Sequence, residues 1–281
     1  TWTVLTNYIP IDKGVLVANY YDNYDRMLSR HPVDVQNKLK YTAQSGYGEQ
    51  YIHPDLKADS PKGLLTATRT RYFNESGVVA QELITTMYYD NRQRLIQTKS
   101  TNHMGGVDSE YLTYNFTGQP VKKMHVHTAS GKATQTEYYT YEYDHAGRLL
   151  KTRHKLNTGA EVLLAENTYD ELGRLITNKK NNLDALKTTY TYNVRGWTTS
   201  ILNDKYFKQW IDYQRDVSGN LTGNYNGNIS AVRYQYIKDV MGVRFSNYTY
   251  DNLSRLTVST YGEGNSVTGR FSENFSYDKH G

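Results

Sequence analysis

The sequence contains no cysteine, little phenylalanine and proline, and no long apolar run. Without Cys, this chain of 281 residues can form neither a disulfide nor a thiolate metal site. The absence of Cys fits the cytosol as well as an oxidising compartment. No apolar stretch approaches the about 20 residues that a membrane-spanning helix needs, so we expect no transmembrane segment. Residues 1–10 also lack the charged start and apolar block of a signal peptide. We therefore expect the chain to be an excerpt of a longer protein.

Charge of one sign is not clustered anywhere in the chain. The 33 basic and 28 acidic residues give a formal net charge of +5, and they alternate without a run of five or six like charges. A surface that binds nucleic acid normally concentrates Lys and Arg, so we expect no nucleic-acid partner. Phosphate-cradling loops, nucleophile elbows and metalloprotease motifs are also missing. The sequence thus favours a protein that is not an enzyme and needs no cofactor.

Tyrosine is the abundant residue. The chain has 28 Tyr against 6 Phe, while the whole hydrophobic class reaches 37%. A tyrosine ring buries a large apolar face and keeps a hydroxyl for water or a hydrogen-bond partner. Aromatic side chains suit the half-covered surface of a β-sheet, so the composition favours strands.

A motif recurs along the chain: an aromatic residue, then Asp or Asn, two variable residues and usually Gly. Weaker copies occupy residues 73–77, 216–219 and 239–242. Asp or Asn can bond back to the main chain, and Gly readily adopts the positive φ that completes a turn. The predicted turn residues are Tyr89, Asp90, Tyr114, Asn115, Gly118, Tyr143, Asp144, Gly147, Tyr169, Asp170, Gly173, Tyr192, Asn193, Gly196, Tyr250, Asp251, Tyr277 and Asp278.

The spacing of the motif indicates hairpins. Four successive copies, at positions 170, 193, 216 and 239, are separated by three steps of 23 residues each. This length fits two short strands and two turns, and it is too short for a β-α-β unit of about 30 residues. The sequence therefore predicts an all-β fold of consecutive antiparallel hairpins in a continuous curved sheet that can spiral. Each hairpin would cover the open edge of the preceding one.

The first 70 residues differ from the rest. Residues 31–62 hold Pro32, Pro54 and Pro61, three of the five prolines, with several glycines and charges. We predict an irregular lead-in region over residues 1–70, with loops and a short helix near residues 33–42. The hairpin array is predicted over residues 71–281.

The recurring Tyr-Asp-x-x-Gly-Arg-Leu resembles the YD repeat of the rearrangement-hotspot (Rhs) family. Residues 89–95, 143–149, 169–175 and 250–256 carry it, and the resemblance covers roughly residues 71–281. It implies a β-sheet strip that coils into a hollow shell, as in bacterial polymorphic toxins, insecticidal toxin complexes and the teneurin ectodomain. In the toxins the shell encloses a C-terminal toxic domain.

Some features of complete family members are missing from this sequence. Toxin-class members carry, after the array, a Gly-, Tyr- and Asp-Pro-rich segment that closes the shell, whereas this chain has no Asp-Pro dipeptide. Closure, self-cleavage and a toxic payload are therefore not carried over. Copies with Gln93, Gln119, Trp197 or Ser254 also deviate from the motif, which makes local turn geometry uncertain there.

Other residues offer candidate chemistry, each with a simpler explanation. His125 and His127 would share one face of a strand and could bind a metal, but a third ligand is not evident. Pairs of Asp could act in acid/base catalysis, although local bonding at turns explains them. Exposed tyrosine rings could stack on sugars, while core packing explains most of them.

Two functional hypotheses remain open. The first is a structural segment of a bacterial Rhs-type protein, secreted or at the cell surface, that forms part of an encapsulating shell or scaffold. Its partners would be the remainder of the same polypeptide, including an enclosed C-terminal domain. The alternative is a carbohydrate-binding or adhesion module that uses exposed tyrosines, with glycans as partners.

Overall fold

The computed structural model describes residues 15–22, 24, 28–50, 63–73, 75–76, 79–222, 224–239, 242–264 and 266–278. These residues contain eighteen strands, one α-helix, α1 (Val33–Leu39), and one 3-10 turn (Asp184–Leu186). The chain divides into two compact units, the first of residues 1–142 with 153–161 and the second of residues 143–152 with 162–281. The predicted all-β fold of consecutive antiparallel hairpins is confirmed, because strands next to each other in sequence pair within each unit.

The first unit contains β1 to β6 and all of β7 except its last residue. β1 pairs with β2, and each later strand pairs with the one before it, all antiparallel. The strands are β1 (Val17–Tyr21), β2 (Leu65–Phe73), β3 (Val79–Tyr89), β4 (Leu95–Thr101), β5 (Val107–Tyr114), β6 (Pro120–His127) and β7 (Gln135–Tyr143). β8 (Leu149–Leu156) follows, and its residues are divided between the two units.

Regular structure begins earlier than the predicted array. β1 and the first two thirds of β2 lie inside the predicted lead-in region, and β2 runs without interruption across residue 71. The weak motif copy beginning at Phe73 therefore follows a strand that has already begun. Asn74 and Gly77 of that copy, and residues 51–62, lie outside the described residues.

One face of β2–β4 is buried by residues from the lead-in region. Leu39, at the end of α1, is fully buried in a cluster with Ala67, Ile84, Tyr88 and Ile96. The Leu39 carbonyl also accepts a hydrogen bond of 2.6 Å from the Tyr88 hydroxyl. We call residues 28–50, which include α1, the lead-in cover. Burying these side chains, at about 1.5–3 kcal/mol for a large apolar one, gives this unit its core.

Polar side chains also join the lead-in cover to the strands. The backbone N–H of Thr42 donates to the Gln97 side-chain oxygen at 3.0 Å, and the Gln97 amide donates back to the Thr42 carbonyl at 2.8 Å. Lys99, nearly buried, donates from Nζ to the Thr42 hydroxyl at 2.6 Å. Burial lowers the pKa of the Lys99 ammonium, because desolvation penalises its charged form.

The second unit contains β9 to β18. Consecutive strands from β9 to β17 pair antiparallel, and β16 also pairs with β18. The strands are β9 (Val162–Tyr169), β10 (Leu175–Lys180), β11 (Lys187–Tyr192), β12 (Thr198–Asn203), β13 (Phe207–Asp212), β14 (Ala231–Tyr236), β15 (Val243–Tyr250), β16 (Leu256–Glu263), β17 (Ser266–Val267) and β18 (Glu273–Asn274). Most of their side chains are half-buried, and Ala231 and Phe245 are among the few that are fully buried.

Candidate functional site

The motif turns share one backbone geometry, shown by the copy at Asp144. The Gly147 N–H donates to the Asp144 carbonyl at 3.0 Å, and the Asp144 N–H donates to the Arg148 carbonyl at 3.0 Å. Gly147 has a φ of +79°, in the left-handed region that glycine enters without steric cost. The same two backbone bonds occur in the copies at Asp90, Asn115, Asp170, Asn193 and Asp251.

The motif aspartate satisfies the donors inside its own turn. Asp144 Oδ1 accepts the N–H groups of Ala146 and Arg148 at 2.9 and 2.8 Å, and Oδ2 accepts Arg148 Nε at 2.6 Å. The backbone hydrogen bond from Arg148 is the main reason why the pKa of the Asp144 carboxyl lies below its usual value. Asp251 shows the same effect with Arg255. The carboxylate is thus a structural acceptor in its charged form.

The motif arginine reaches the next repeat. Arg174 Nη1 donates to the Asn193 carbonyl at 3.2 Å, and its guanidinium lies over the Tyr192 ring at 4.9 Å. A cation over an aromatic face is attracted by the ring quadrupole. Three other arginines make the same pair of contacts with the following copy: Arg94 with Asn115 and Tyr114, Arg148 with Asp170 and Tyr169, and Arg255 with Asp278 and Tyr277.

The motif tyrosine bonds in the opposite direction. The Tyr192 hydroxyl donates to the Leu175 carbonyl at 2.8 Å, and Leu175 is the last motif residue of the preceding copy. Corresponding bonds join Tyr114 to Leu95, Tyr169 to Leu149 and Tyr277 to Leu256. We call this combination the turn clasp: the arginine of one copy holds the next copy, whose tyrosine bonds back to the residue after that arginine. The tyrosine, aspartate, glycine and arginine positions of the motif thus each make a specific contact.

A β-bulge accompanies the motif turns. In the hairpin of β15 and β16, Thr249 is opposite Val258 while Tyr250 is opposite Leu256, so no residue of β15 lies opposite Thr257. An extra residue on one strand increases the local twist. Equivalent register shifts occur in the hairpins β3–β4, β5–β6, β9–β10 and β11–β12.

The deviating copies keep the turn geometry, contrary to the uncertainty that the sequence suggested. Gln93 and Ser254 each take the glycine position with a φ of +62°, and both still donate to the motif aspartate carbonyl. Trp197 takes the arginine position, and its ring packs against Tyr213 at 5.0 Å. Tyr213 in turn donates to the Thr198 carbonyl at 2.9 Å, so the clasp survives with an aromatic contact.

The two degraded copies behave differently from each other. Asp216 forms the usual turn with Gly219, between β13 and β14. Asp239 and Gly242 lie between β14 and β15, whereas Asp251 lies between β15 and β16. Successive connections of an antiparallel sheet alternate between the two ends of its strands. Asp239 therefore lies at the end of the strands opposite to the motif turns. Assigning Asp239 to the same series was therefore wrong.

The predicted turn residues make their side-chain contacts with neighbouring copies of the motif and do not form one shared site. Tyr114, Tyr169, Tyr192 and Tyr277 each meet the preceding copy. Sequence reasoning did not single out the motif arginines as links. The signal was present, because Arg stands four residues after Asp in several copies, at the position where the turn returns its side chain to the carboxylate.

His127 of the histidine pair has a carboxylate partner. His125 and His127 both lie on β6, and His127 Nδ1 is paired with the Asp108 carboxylate. Within the part of the chain that the structure describes, no group of three or more His, Asp or Glu converges to hold a metal ion. No helix among the described residues is long and apolar enough to cross a membrane.

Comparisons with known proteins yield structural neighbours only. No protein-family model matches the sequence, and no curated protein matches it. Solved structures similar to this chain include crystal structures of TcdB2-TccC3-Cdc42 and of TcdB2-TccC3-TEV, each with 12% sequence identity and a TM-score of 0.29. Each match covers 92% of this chain, which spans only 18% of the length of the matched chain.

Proposed function

We propose that this chain is a non-catalytic structural repeat segment of a larger bacterial protein, secreted or at the cell surface, and that it forms part of an encapsulating shell or scaffold. The turn clasp is the observation that carries the proposal. Its residues hold one hairpin against the next. A long sheet made of repeats depends on such contacts between neighbouring repeats for its stability. The remainder of the same polypeptide, including an enclosed domain, would be its partner.

The chemistry of the motif supports a structural role. The carboxylates of Asp90, Asp144, Asp170 and Asp251 each accept hydrogen bonds from their own turn and from the motif arginine. A general base needs a carboxylate that can take a proton from a substrate. Donors of the turn and the motif arginine already occupy these four carboxylates, so the recurring Asp has a structural explanation.

Hydrogen exchange tests whether the clasp couples repeats. Replacing Arg174 by Ala should reduce protection in the hairpin β11–β12 as well as in its own hairpin β9–β10, because both contacts to the next copy are lost. Lys180→Ala is the matched control, since Lys180 is an exposed cation of β10 and should leave protection unchanged. A loss of protection confined to residues 170–174 would contradict the coupling.

Limited proteolysis of the full-length polypeptide tests the shell. With intact clasps, we expect the polypeptide outside this segment to contain a domain that resists protease. The double substitution Arg148→Ala and Arg174→Ala should expose that domain, whereas Lys180→Ala should not. Equal cleavage of the remainder of the polypeptide in the unmodified protein, the double variant and the Lys180→Ala variant would refute encapsulation. This holds even where hydrogen exchange supports the clasp.

A further inference from the structure

A cluster of charged side chains lies where the lead-in cover meets β2 and β3, inside the first unit. Arg71 of β2 is directly opposite Glu82 of β3, and Arg69, two residues earlier, shares that face of the sheet. His31 of the lead-in cover lies against the same carboxylate, with its Nδ1 3.6 Å from Glu82 Oε2. The cluster therefore contains groups from the cover and from both strands.

The arginines of this cluster share one carboxylate. Arg71 Nε lies 2.9 Å from Glu82 Oε1, and Arg69 Nε lies 3.4 Å from the same oxygen. The shorter contact makes Glu82 mainly the partner of Arg71. Among the described residues no other carboxylate pairs with Arg69, and the Arg69 guanidinium forms no hydrogen bond with any of them. Arg69 is therefore a cation without an anion of its own in the described part of the chain.

Burial makes the charge of Arg69 costly. Its side chain is only 4% exposed, and a guanidinium carries five N–H donors. Buried charges in proteins are normally paired, because a charge that leaves water without a partner loses its hydration and gains nothing in return. A shared oxygen at 3.4 Å is a poor partner, since charge-assisted hydrogen bonds are about 2.7–2.9 Å long. The arrangement favours an additional anion beside Arg69.

His31 gives independent support for an anion at this place. Its side chain is 9% exposed, and Nε2 is buried with no hydrogen-bond partner among the described residues. Burial is the main reason why the pKa of the His31 imidazole lies below its usual value, and the nearby guanidinium charges of Arg69, Arg71 and Arg30 lower it further. The Glu82 carboxylate acts in the opposite direction. An oxyanion would offset this positive potential and give Nε2 an acceptor.

The chemistry of the cluster favours a small tetrahedral oxyanion. A guanidinium presents parallel N–H groups that match two oxygens of a phosphate or sulfate. The cover leaves little of Arg69 and His31 exposed, so a free ion fits the cluster better than a phosphate group carried on a macromolecule. Chloride has the charge but no pair of oxygens, and it is therefore the reference ion.

We propose that Arg69 and His31 bind a small oxyanion, such as inorganic phosphate or sulfate, between the lead-in cover and β2. The anion neutralises the surplus positive charge and links the cover to the strands. The site lies outside the turn clasp, and it does not depend on whether the array forms a shell.

Calorimetry of the intact chain with sodium phosphate or sodium sulfate, against sodium chloride at equal ionic strength, tests the site. We expect saturable binding of phosphate and sulfate and none of chloride. Arg69→Met should weaken phosphate binding by about tenfold or more, because it removes a charged hydrogen-bond donor. Arg244→Met is the matched control. Arg244 is also little exposed, at 17%, but it pairs with Asp239 in the second unit, so its loss should leave phosphate affinity unchanged.

Urea unfolding of the first unit separates binding from general effects of salt. In chloride, Arg69→Met should raise the unfolding midpoint, because it removes a buried charge that lacks its own anion. In phosphate the unmodified chain should gain more stability than this variant, since a ligand that binds only the folded state stabilises it. Phosphate and sulfate also stabilise proteins by exclusion from their surface, and that effect should be equal in the unmodified chain and both variants.

Three results would overturn the proposal. One is the absence of saturable phosphate or sulfate binding at millimolar concentration by the folded chain. Another is phosphate binding that Arg69→Met retains in full, and the third is an equal rise of the midpoint in phosphate with and without Arg69→Met. Arg69→Lys keeps the charge but loses the parallel N–H groups, so it should fold even where Arg69→Met does not, and it should bind phosphate more weakly. Unchanged phosphate affinity in Arg69→Lys would also count against the site.

Discussion

The glycine position of the motif turn has a positive φ in every copy described, so backbone strain can be added at one copy and relieved at another. Gly196 has a φ of +80°, and a Cβ added there would meet nothing within 4 Å. Gln93 occupies the same position at a φ of +62°. Substitution at these two sites therefore changes backbone strain with little change in packing.

Two opposing effects set the magnitude. A residue with a Cβ loses about 1–2 kcal/mol in the left-handed region. Replacing Gly by Ala also stabilises the folded state by about 0.4–1 kcal/mol, because the unfolded chain has fewer conformations. The difference predicts that Gly196→Ala lowers the free energy of unfolding by about 1 kcal/mol and that Gln93→Gly raises it by about 1 kcal/mol.

Urea unfolding measures both changes as shifts of the midpoint at constant slope. Gln93→Ala is the control, because it removes the side-chain atoms beyond Cβ but keeps the Cβ and therefore the backbone strain. Its unfolding midpoint should move little. Gly196 and Gln93 belong to different units, so hydrogen exchange at each turn should assign the change to its unit. Destabilisation by Gln93→Gly would refute the claim that this position is strained.

Further predictions concern the lead-in cover. Gly48→Ala should destabilise the first unit by about 1–3 kcal/mol, because the new Cβ would lie 2.4 Å from Ile96 Cγ2, and thermal unfolding measures this. Lys99→Met should raise the free energy of unfolding by about 1 kcal/mol in a urea titration, since it removes a buried amine that has the Thr42 hydroxyl as acceptor. Burial lowers the pKa of the His31 imidazole, so the unfolded chain binds the proton more readily, and stability should fall as pH drops below the ordinary value of 6.5. His31→Gln should flatten this dependence of the unfolding midpoint on pH.

The turns could be predicted from the sequence because their chemistry is local. Asp144, Gly147 and Arg148 lie within five positions, and their contacts with one another are fixed once the turn closes. The link to the next copy could also have been inferred. Hairpins repeat about every 23 residues, and strands lie about 4.8 Å apart, so consecutive turns are near enough for an arginine to span.

The sequence of a turn does not show at which end of the strands that turn lies. Asp239 and Asp216 share the same local pattern, and both form turns that end in a glycine with positive φ. The two turns differ because one strand, β14, lies between them. Each strand takes the chain to the opposite end of the sheet, so these two turns lie at opposite ends of the strands. The spacing from 239 to 251 is 12 residues, about one strand with its turn, and this was the available signal.

The lead-in cover could not be predicted either, because its contacts are distant in sequence. The Leu39 carbonyl accepts from Thr86 and Tyr88, more than forty residues away. Prolines, glycines and charges are scattered through residues 31–62, and the segment carries no apolar periodicity to indicate which residue enters the core. Leu39 becomes buried because one face of β2–β4 offers Ala67, Ile84 and Ile96 to it.

The turn clasp has a direction along the chain, and this direction bears on how an array grows. Each arginine contacts the copy that follows, while each tyrosine bonds to the copy that precedes. A hairpin added at the C-terminal side therefore completes the clasp of the hairpin already formed, and its own arginine waits for the next one. Since an isolated hairpin is marginal in water, each addition stabilises its predecessor as well as itself. Replacing one arginine should for this reason weaken two hairpins, and the substitution at Arg174 examines that consequence directly.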